Sequence, residues 1–202
     1  MKKIIALALS AVMMLSMFTA CSSEPTVDTN SKSADIVVIG AGGAGMSAAI
    51  QAVQNGATNV VIVEKTGMAG GNTTRSTGGL NASETTFQDR DGIEDSNQLF
   101  IDDTMKGGKN INNPELAENS AEALYWVNDM GADLTVVGLF GGASVKRIHR
   151  PSDTSAVGPV LVKTLLSVVE KNNIPVLYNT KAEEIITDAN GAVSGVKVTD
   201  AE

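Results

Sequence analysis

Residues 37–50 read VVIGAGGAGMSAAI. An apolar, β-branched run enters closely spaced glycines and leaves into small residues that favour a helix. Asp35–Ile39 predicts a short buried strand. Apolar residues then recur at Met46, Ala49, Ile50 and Val53, a helical period over Ala44–Asn55, and Gly56 can end it in the left-handed conformation. Asn59–Val63 predicts a second buried strand. Together these form one βαβ unit, which implies a right-handed crossover and a parallel sheet.

Inside that unit, Gly40-Ala41-Gly42-Gly43-Ala44-Gly45 has the spacing G-x-G-x-x-G between a strand and a helix. Gly40 would permit the tight turn, Gly42 the approach of backbone to a pyrophosphate, and Gly45 close packing of the helix on the sheet. The free N–H groups of the helix start add partial positive charge for phosphates. Glu64 closes the second strand about twenty residues further on. Its carboxylate can accept hydrogen bonds from ribose hydroxyls and would repel a 2′-phosphate. These residues predict a dinucleotide site and leave NAD and FAD both open, since the same glycines and acid serve either.

Residues 64–82, EKTGMAGGNTTRSTGGLNA, add a second loop rich in glycine and hydroxyl residues. This stretch resembles the flavoprotein family of fumarate reductases and succinate dehydrogenases. There a Glu-Lys pair is followed by Gly-Gly-Asn with a hydroxyl residue, then a second Gly-Gly and Asn-Ala. The order of Arg147-Ile148-His149-Arg150-Pro151, Gly158, a helix, Tyr178-Asn179-Thr180-Lys181-Ala182 and an Asn-Gly hairpin is similar to the soluble members, so the resemblance covers about residues 34–200. It implies FAD, held non-covalently, with Gly40, Gly42, Gly43, Ala44, Gly45, Glu64, Lys65, Gly71, Asn72, Thr73, Thr77, Gly78, Gly79 and Ala182 as cofactor-binding residues. Asn72 and Thr73 would face the phosphates, Gly78 and Gly79 the flat isoalloxazine, and the Ala182 backbone the adenine. The implied fold is α/β: a Rossmann-like FAD-binding domain of the glutathione-reductase type, with a parallel sheet plus a β-meander or hairpin, incomplete at its C-terminus. The implied chemistry is hydride transfer from flavin to the C=C of an unsaturated carboxylate, fed by an external electron donor.

Elsewhere the chain predicts helices over Asp95–Lys106, from Asn113-Pro114-Glu115 to Met130 with a stop at Gly131, and from Gly158-Pro159 to Asn173. Residues 66–86 and Gly138–Ser144 read as loops. Pro175–Tyr178 reads as a strand, and Glu183–Thr187 and Val193–Val198 flank the hairpin turn Asn190-Gly191. The single histidine, His149, reads as a loop residue fixing local structure, with a flavin- or substrate-proximal role as the alternative. No histidine lies in 72–77, where family members that bind FAD covalently carry one.

The N-terminus has a different character. Lys2 and Lys3, the apolar run Ile4–Ala20 and Cys21 have the layout of a signal peptide. Phe18-Thr19-Ala20-Cys21 resembles a bacterial lipobox, with Phe where Leu is usual, so Cys21 is expected to carry lipid. Plain secretion with an incidental cysteine is the alternative. Residues 22–33 are polar and suit a flexible tether, and folded sequence is expected over 34–202. The protein is therefore expected at the extracytoplasmic face of the cell membrane. A net charge of -8 with 3% aromatic residues and no basic stripe argues against a nucleic-acid partner.

Enoate reduction also needs a proton donor and cations that grip the substrate carboxylate. In the resembled family these come from a capping domain and a C-terminal segment, and neither is legible here. The chain is expected to be the N-terminal, FAD-binding part of a larger enzyme, inactive alone, with no catalytic residue assigned. Arg75, Arg147 and Arg150 remain as anion-binding candidates. Two other readings stay open: an NAD-dependent dehydrogenase, and a non-catalytic surface lipoprotein that kept the dinucleotide fold.

Overall fold

The computed structural model describes residues 32–108 and 114–200. Cys21, the tether before residue 32 and the expected cap Asn113 lie outside the described residues. A compact unit spans Ala34–Glu202. Its first elements are β1 (Ile36–Ile39), α1 (Gly43–Gln54), β2 (Val60–Val63) and a 3-10 turn over Gly71–Arg75. Next come β3 (Leu80–Asn81), α2 (Thr86–Arg90), α3 (Asn97–Gly108), α4 (Glu115–Glu118) and α5 (Ser120–Asp129). The chain continues with β4 (Leu134–Gly138), β5 (Ile148–Pro151), α6 (Val157–Lys171), β6 (Val176–Leu177), β7 (Thr180–Thr187) and β8 (Val193–Asp200).

The βαβ unit folds as its periodicity dictates. β1 and β2 pair in parallel from Ile36↔Val60 to Ile39↔Val63, and β6 joins the other side of β2, also in parallel. Helix α1 buries Met46, Ala49 and Ile50 against Val60 and Ile62, and α6 adds Leu165 and Val169 to the same core. A second sheet is antiparallel, in the order β3-β5-β4, and covers a smaller core of Ala82, Leu124, Val127, Leu134 and Val157. Trp126 packs against both cores and donates from Nε1 to Gln54 at 2.9 Å. Strands β7 and β8 form a separate antiparallel hairpin. Among the described residues no helix is long and apolar enough to cross a membrane.

Three local expectations change. β1 is not buried throughout: among the described residues it is an edge of its sheet, and Ile36 and Ile39 are 37% and 51% exposed. The helix expected to run unbroken to Met130 is interrupted at Asn119, whose side-chain amide donates to the Glu115 carbonyl while Ser120 Oγ donates to Ala117. Such side-chain bonds compete with the helical ladder. Residues 148–151, around His149, are a strand and not loop, and two elements without a sequence reading appear, the short helix 86–90 and the strand 134–138, which takes in Gly138 at the start of the expected loop.

Candidate functional site

The glycine turn shows two reasons for being glycine. Gly40 has φ +98°, the left-handed region that side chains disfavour. A Cβ on Gly45 would stand 1.8 Å from the Gly40 carbonyl oxygen, so α1 can sit on the turn only without a side chain there. Gly42 is different. Its backbone is extended at φ -78°, which any residue adopts, and a Cβ there would meet only Gly70 O at 3.8 Å. Among the described residues nothing demands glycine at position 42, and its bare backbone leaves room for the close approach of a ligand.

Helix α1 carries no side-chain cap of its own at Gly42. The Gly43 N–H donates to Thr73 Oγ1 at 3.1 Å, and the N–H groups of Ala44 and Gly45 have no hydrogen-bond partner among the described residues. Open N–H groups at a helix start, with the positive end of the helix dipole behind them, form an anion site. The second glycine loop docks beside it: Gly70 N–H donates to Ala41 O at 2.7 Å, and Gly70 has φ +117°. Ala44, Gly71 and Asn72 are exposed at this junction.

Glu64 ends β2 with its carboxylate turned back onto the turn. Oε2 accepts from Ala41 N–H at 2.8 Å, and Oε1 accepts from both the N–H and the hydroxyl of Thr66 at 2.9 Å. Burial pushes its pKa up, but the two backbone N–H groups and the Thr66 hydroxyl outweigh that and leave it below the usual carboxylate value. It is an anion at neutral pH. A carboxylate offers about four lone-pair sites, so these three bonds leave room for a further donor such as a ribose hydroxyl. The Glu64 carbonyl accepts from Thr180 N–H at 2.9 Å, which brings β7 alongside. Lys65, Thr66, Asn179, Lys181 and Glu183 line a cavity of about 330 Å³ there, and Ala182 lies between two of its lining residues.

At the other end of the loop, Gly79 is pinned to β5. A Cβ on it would stand 2.4 Å from His149 O and 2.7 Å from Ile148 Cγ1. Gly158, at the start of α6, donates its N–H to Ser76 O, and a Cβ on it would lie 2.1 Å from Thr73 O. Thr73 therefore touches both the α1 start and the α6 start, while Thr77 and Gly78 continue from Ser76. The cofactor residues named from sequence fall into one connected series, from the hairpin cavity through Glu64 and the α1 turn to Gly78–Gly79.

Two sequence readings are corrected. Arg147 is no anion site: its guanidinium is 2% exposed and bonded to Asp95 at 2.7 and 3.0 Å and to Asp103 at 2.7 Å. Ser144 completes this cluster by donating its N–H to Asp103 at 2.7 Å, and that carboxylate lies below its usual pKa chiefly through the Ser144 hydroxyl and N–H. His149 is no loop residue. It is fully buried in β5, with Nε2 2.9 Å from Thr85 Oγ1 and Nδ1 3.0 Å from the Arg147 carbonyl oxygen. Its structural reading fits this setting, and burial holds its pKa below the ordinary histidine value. Sequence reasoning missed the Asp95–Asp103–Arg147 cluster, because buried pairing across 44 to 52 residues leaves no local signal.

A family model described as FAD binding domain matches residues 35–202. The chain belongs to this FAD-binding family. FAD is accordingly its cofactor, and the α/β fold with parallel sheet and hairpin is that of the flavoprotein reductases. The chain is 44% identical over 199 residues to the NADH:fumarate oxidoreductase of Klebsiella pneumoniae (strain 342), covering 96% of this chain and 21% of that protein. It is 45% identical over 168 residues to the Fumarate reductase (cytochrome) of Shewanella frigidimarina, covering 81% of this chain and 29% of that protein. The open conformation of a flavocytochrome c3 fumarate reductase superposes with a TM-score of 0.80 at 36% identity, covering 83% of this chain and 30% of that one. The chain thus spans less than a third of the length of these relatives.

Proposed function

We propose that this chain is the FAD-binding part of an exported, lipid-anchored oxidoreductase that reduces the C=C of an unsaturated carboxylate. The carrying observation is Gly42: a glycine the chain does not need, set beside open helix N–H groups and facing a second glycine loop. Gly40, Gly42, Gly43, Ala44 and Gly45 with Thr73 hold the pyrophosphate. Glu64 accepts from the ribose, and Lys65 and Ala182 flank the adenine cavity. Gly71, Asn72, Thr77, Gly78 and Gly79 follow the cofactor toward its ring. Bound non-covalently, FAD supplies the electron pair, as hydride, for the reduction. The names of the relatives support fumarate-like substrates and, in one of them, NADH as donor. The residues of this chain bind and orient, and none is given a proton-transfer role.

Visible spectroscopy of the purified full chain reconstituted with FAD tests the reading. A yellow protein with flavin absorption bands supports it. A colourless protein that binds NADH overturns it in favour of an NAD-dependent dehydrogenase. Lipid anchoring through Cys21 rests on the leader sequence alone. In a lipoprotein-processing host, Cys21→Ser should move the protein from the membrane fraction to the soluble one; retention in membranes would refute the anchor.

A further inference from the structure

Arg150 follows His149 in β5 and lies on the same strand face as Ile148, as alternate residues do. Its stem rests against Gly79: a Cβ there would stand 3.1 Å from Arg150 Cγ. One terminal nitrogen donates to the Thr154 carbonyl at 2.9 Å. The Nε–H has no counterpart. Among the described residues, it is the buried side-chain nitrogen or oxygen without a hydrogen-bond partner. Nor does any carboxylate pair with Arg150 among the described residues, whereas Arg147, three positions earlier, holds two. Buried polar groups are almost always satisfied, so an orphan donor points to a partner outside the chain. A guanidinium keeps its charge in proteins. Arg150 therefore carries a permanent cation, with a spare N–H two bonds beyond the Cγ that rests on Gly79, close to the glycine segment that the ring of FAD would follow.

We propose that Arg150 raises the reduction potential of the bound flavin, its charge and free Nε–H favouring the electron-rich reduced form over the oxidised one. This rests on the reading that FAD lies along Gly78–Gly79. The other candidates are weaker. Arg147 is saturated by Asp95 and Asp103, Lys65 lies at the adenine end, and Arg75 is exposed, where solvent screens its charge.

The test is the midpoint potential of the full chain loaded with FAD, by anaerobic dye equilibration, beside fluorescence titration of oxidised FAD. Arg150→Met keeps most of the stem and removes the charge. It should weaken reduced FAD about tenfold more than oxidised FAD, lowering the midpoint by about 30 mV. Arg150→Lys, which keeps charge without the Nε donor, should recover part of that shift. Should Arg150→Met release the cofactor, Arg150→Gln carries the same comparison, with the same expected fall. A midpoint equal to wild type in a variant that holds FAD overturns the proposal, as does equal weakening of both redox forms, which would make Arg150 merely structural. A wild-type chain that binds no FAD overturns the cofactor reading itself.

Discussion

Substituting alanine at Gly45 and at Gly42 separates what the fold needs from what the ligand needs. A Cβ on Gly45 would sit 1.8 Å from Gly40 O and 3.0 Å from Gly40 C, where real Cβ contacts essentially never fall below 3.0 Å. Helix and turn must therefore part by about 1.2 Å at the oxygen. Both atoms are backbone, so no side chain can swing away. Overpacking of this kind costs about 3 kcal/mol, at the upper end of its usual range. A domain of this size loses about 2–4 °C per kcal/mol, so Gly45→Ala should melt roughly 6–12 °C below wild type and lose FAD with the displaced α1 start. Gly42→Ala meets nothing closer than 3.8 Å. Its melting temperature without cofactor should stay within the scatter of surface substitutions, about ±0.5 kcal/mol. Its methyl group nevertheless occupies the approach to the open N–H groups, and FAD affinity should fall at least tenfold. Thermal melts of the FAD-free proteins and fluorescence titrations with FAD give both numbers. Gly42→Ala binding FAD like wild type would refute the assignment of the pyrophosphate to this turn. Gly45→Ala melting like wild type would refute the packing argument.

Arg147→Met should cost about 3–5 kcal/mol, because it strands two carboxylates, Asp95 and Asp103, in the interior; a melting temperature unchanged from wild type would contradict the buried cluster. Glu64→Gln places an amide N–H₂ against the N–H of Ala41 or of Thr66, donor facing donor. It should lower stability by about 1–3 kcal/mol and weaken FAD binding in titration. His149 predicts an acid limit to stability. Burial lowers its folded pKa, so the unfolded chain takes up the proton first. The stability it contributes is complete above its unfolded pKa of about 6.5 and is lost as pH falls through the lower folded value. Urea midpoints of wild type should fall between about pH 7 and pH 5, and those of His149→Gln should fall less.

The βαβ unit was legible because two local signals coincide in it: apolar periodicity sets β1, α1 and β2, and glycines mark the turn between. The glycine turn and the position of Glu64 beside it came with it, since both lie at fixed spacing from those elements. What stayed hidden depends on tertiary partners. Ile148–Pro151 contains His, Arg and Pro and carries no alternation of apolar residues, so it reads as loop. It becomes a strand because β3 and β4 flank it and because Arg147 and His149 find buried partners on other elements. Helix α2 did carry a signal that was passed over: Thr85 and Gln88 form a reciprocal capping box. Gly158 read as a helix opener, while its contact with Thr73 belongs to a pair of segments far apart in sequence.

The second glycine loop can be sorted by the same criterion as the first. Gly79 is demanded by the chain, because β5 backbone lies 2.4 Å from where its Cβ would stand. Its identity alone therefore says nothing about a flavin. Gly78 faces only Ile148 Cδ1 at 3.2 Å, the far end of a side chain that can turn aside, and Phe140, which is 60% exposed. The fold could carry a small side chain there at little cost. Gly42 and Gly78 are thus both positions where glycine has no strong reason internal to the chain. They stand at opposite ends of the connection made through Thr73. That connection joins the open N–H groups at the α1 start to the segment beside Arg150, the span along which the proposed FAD site runs.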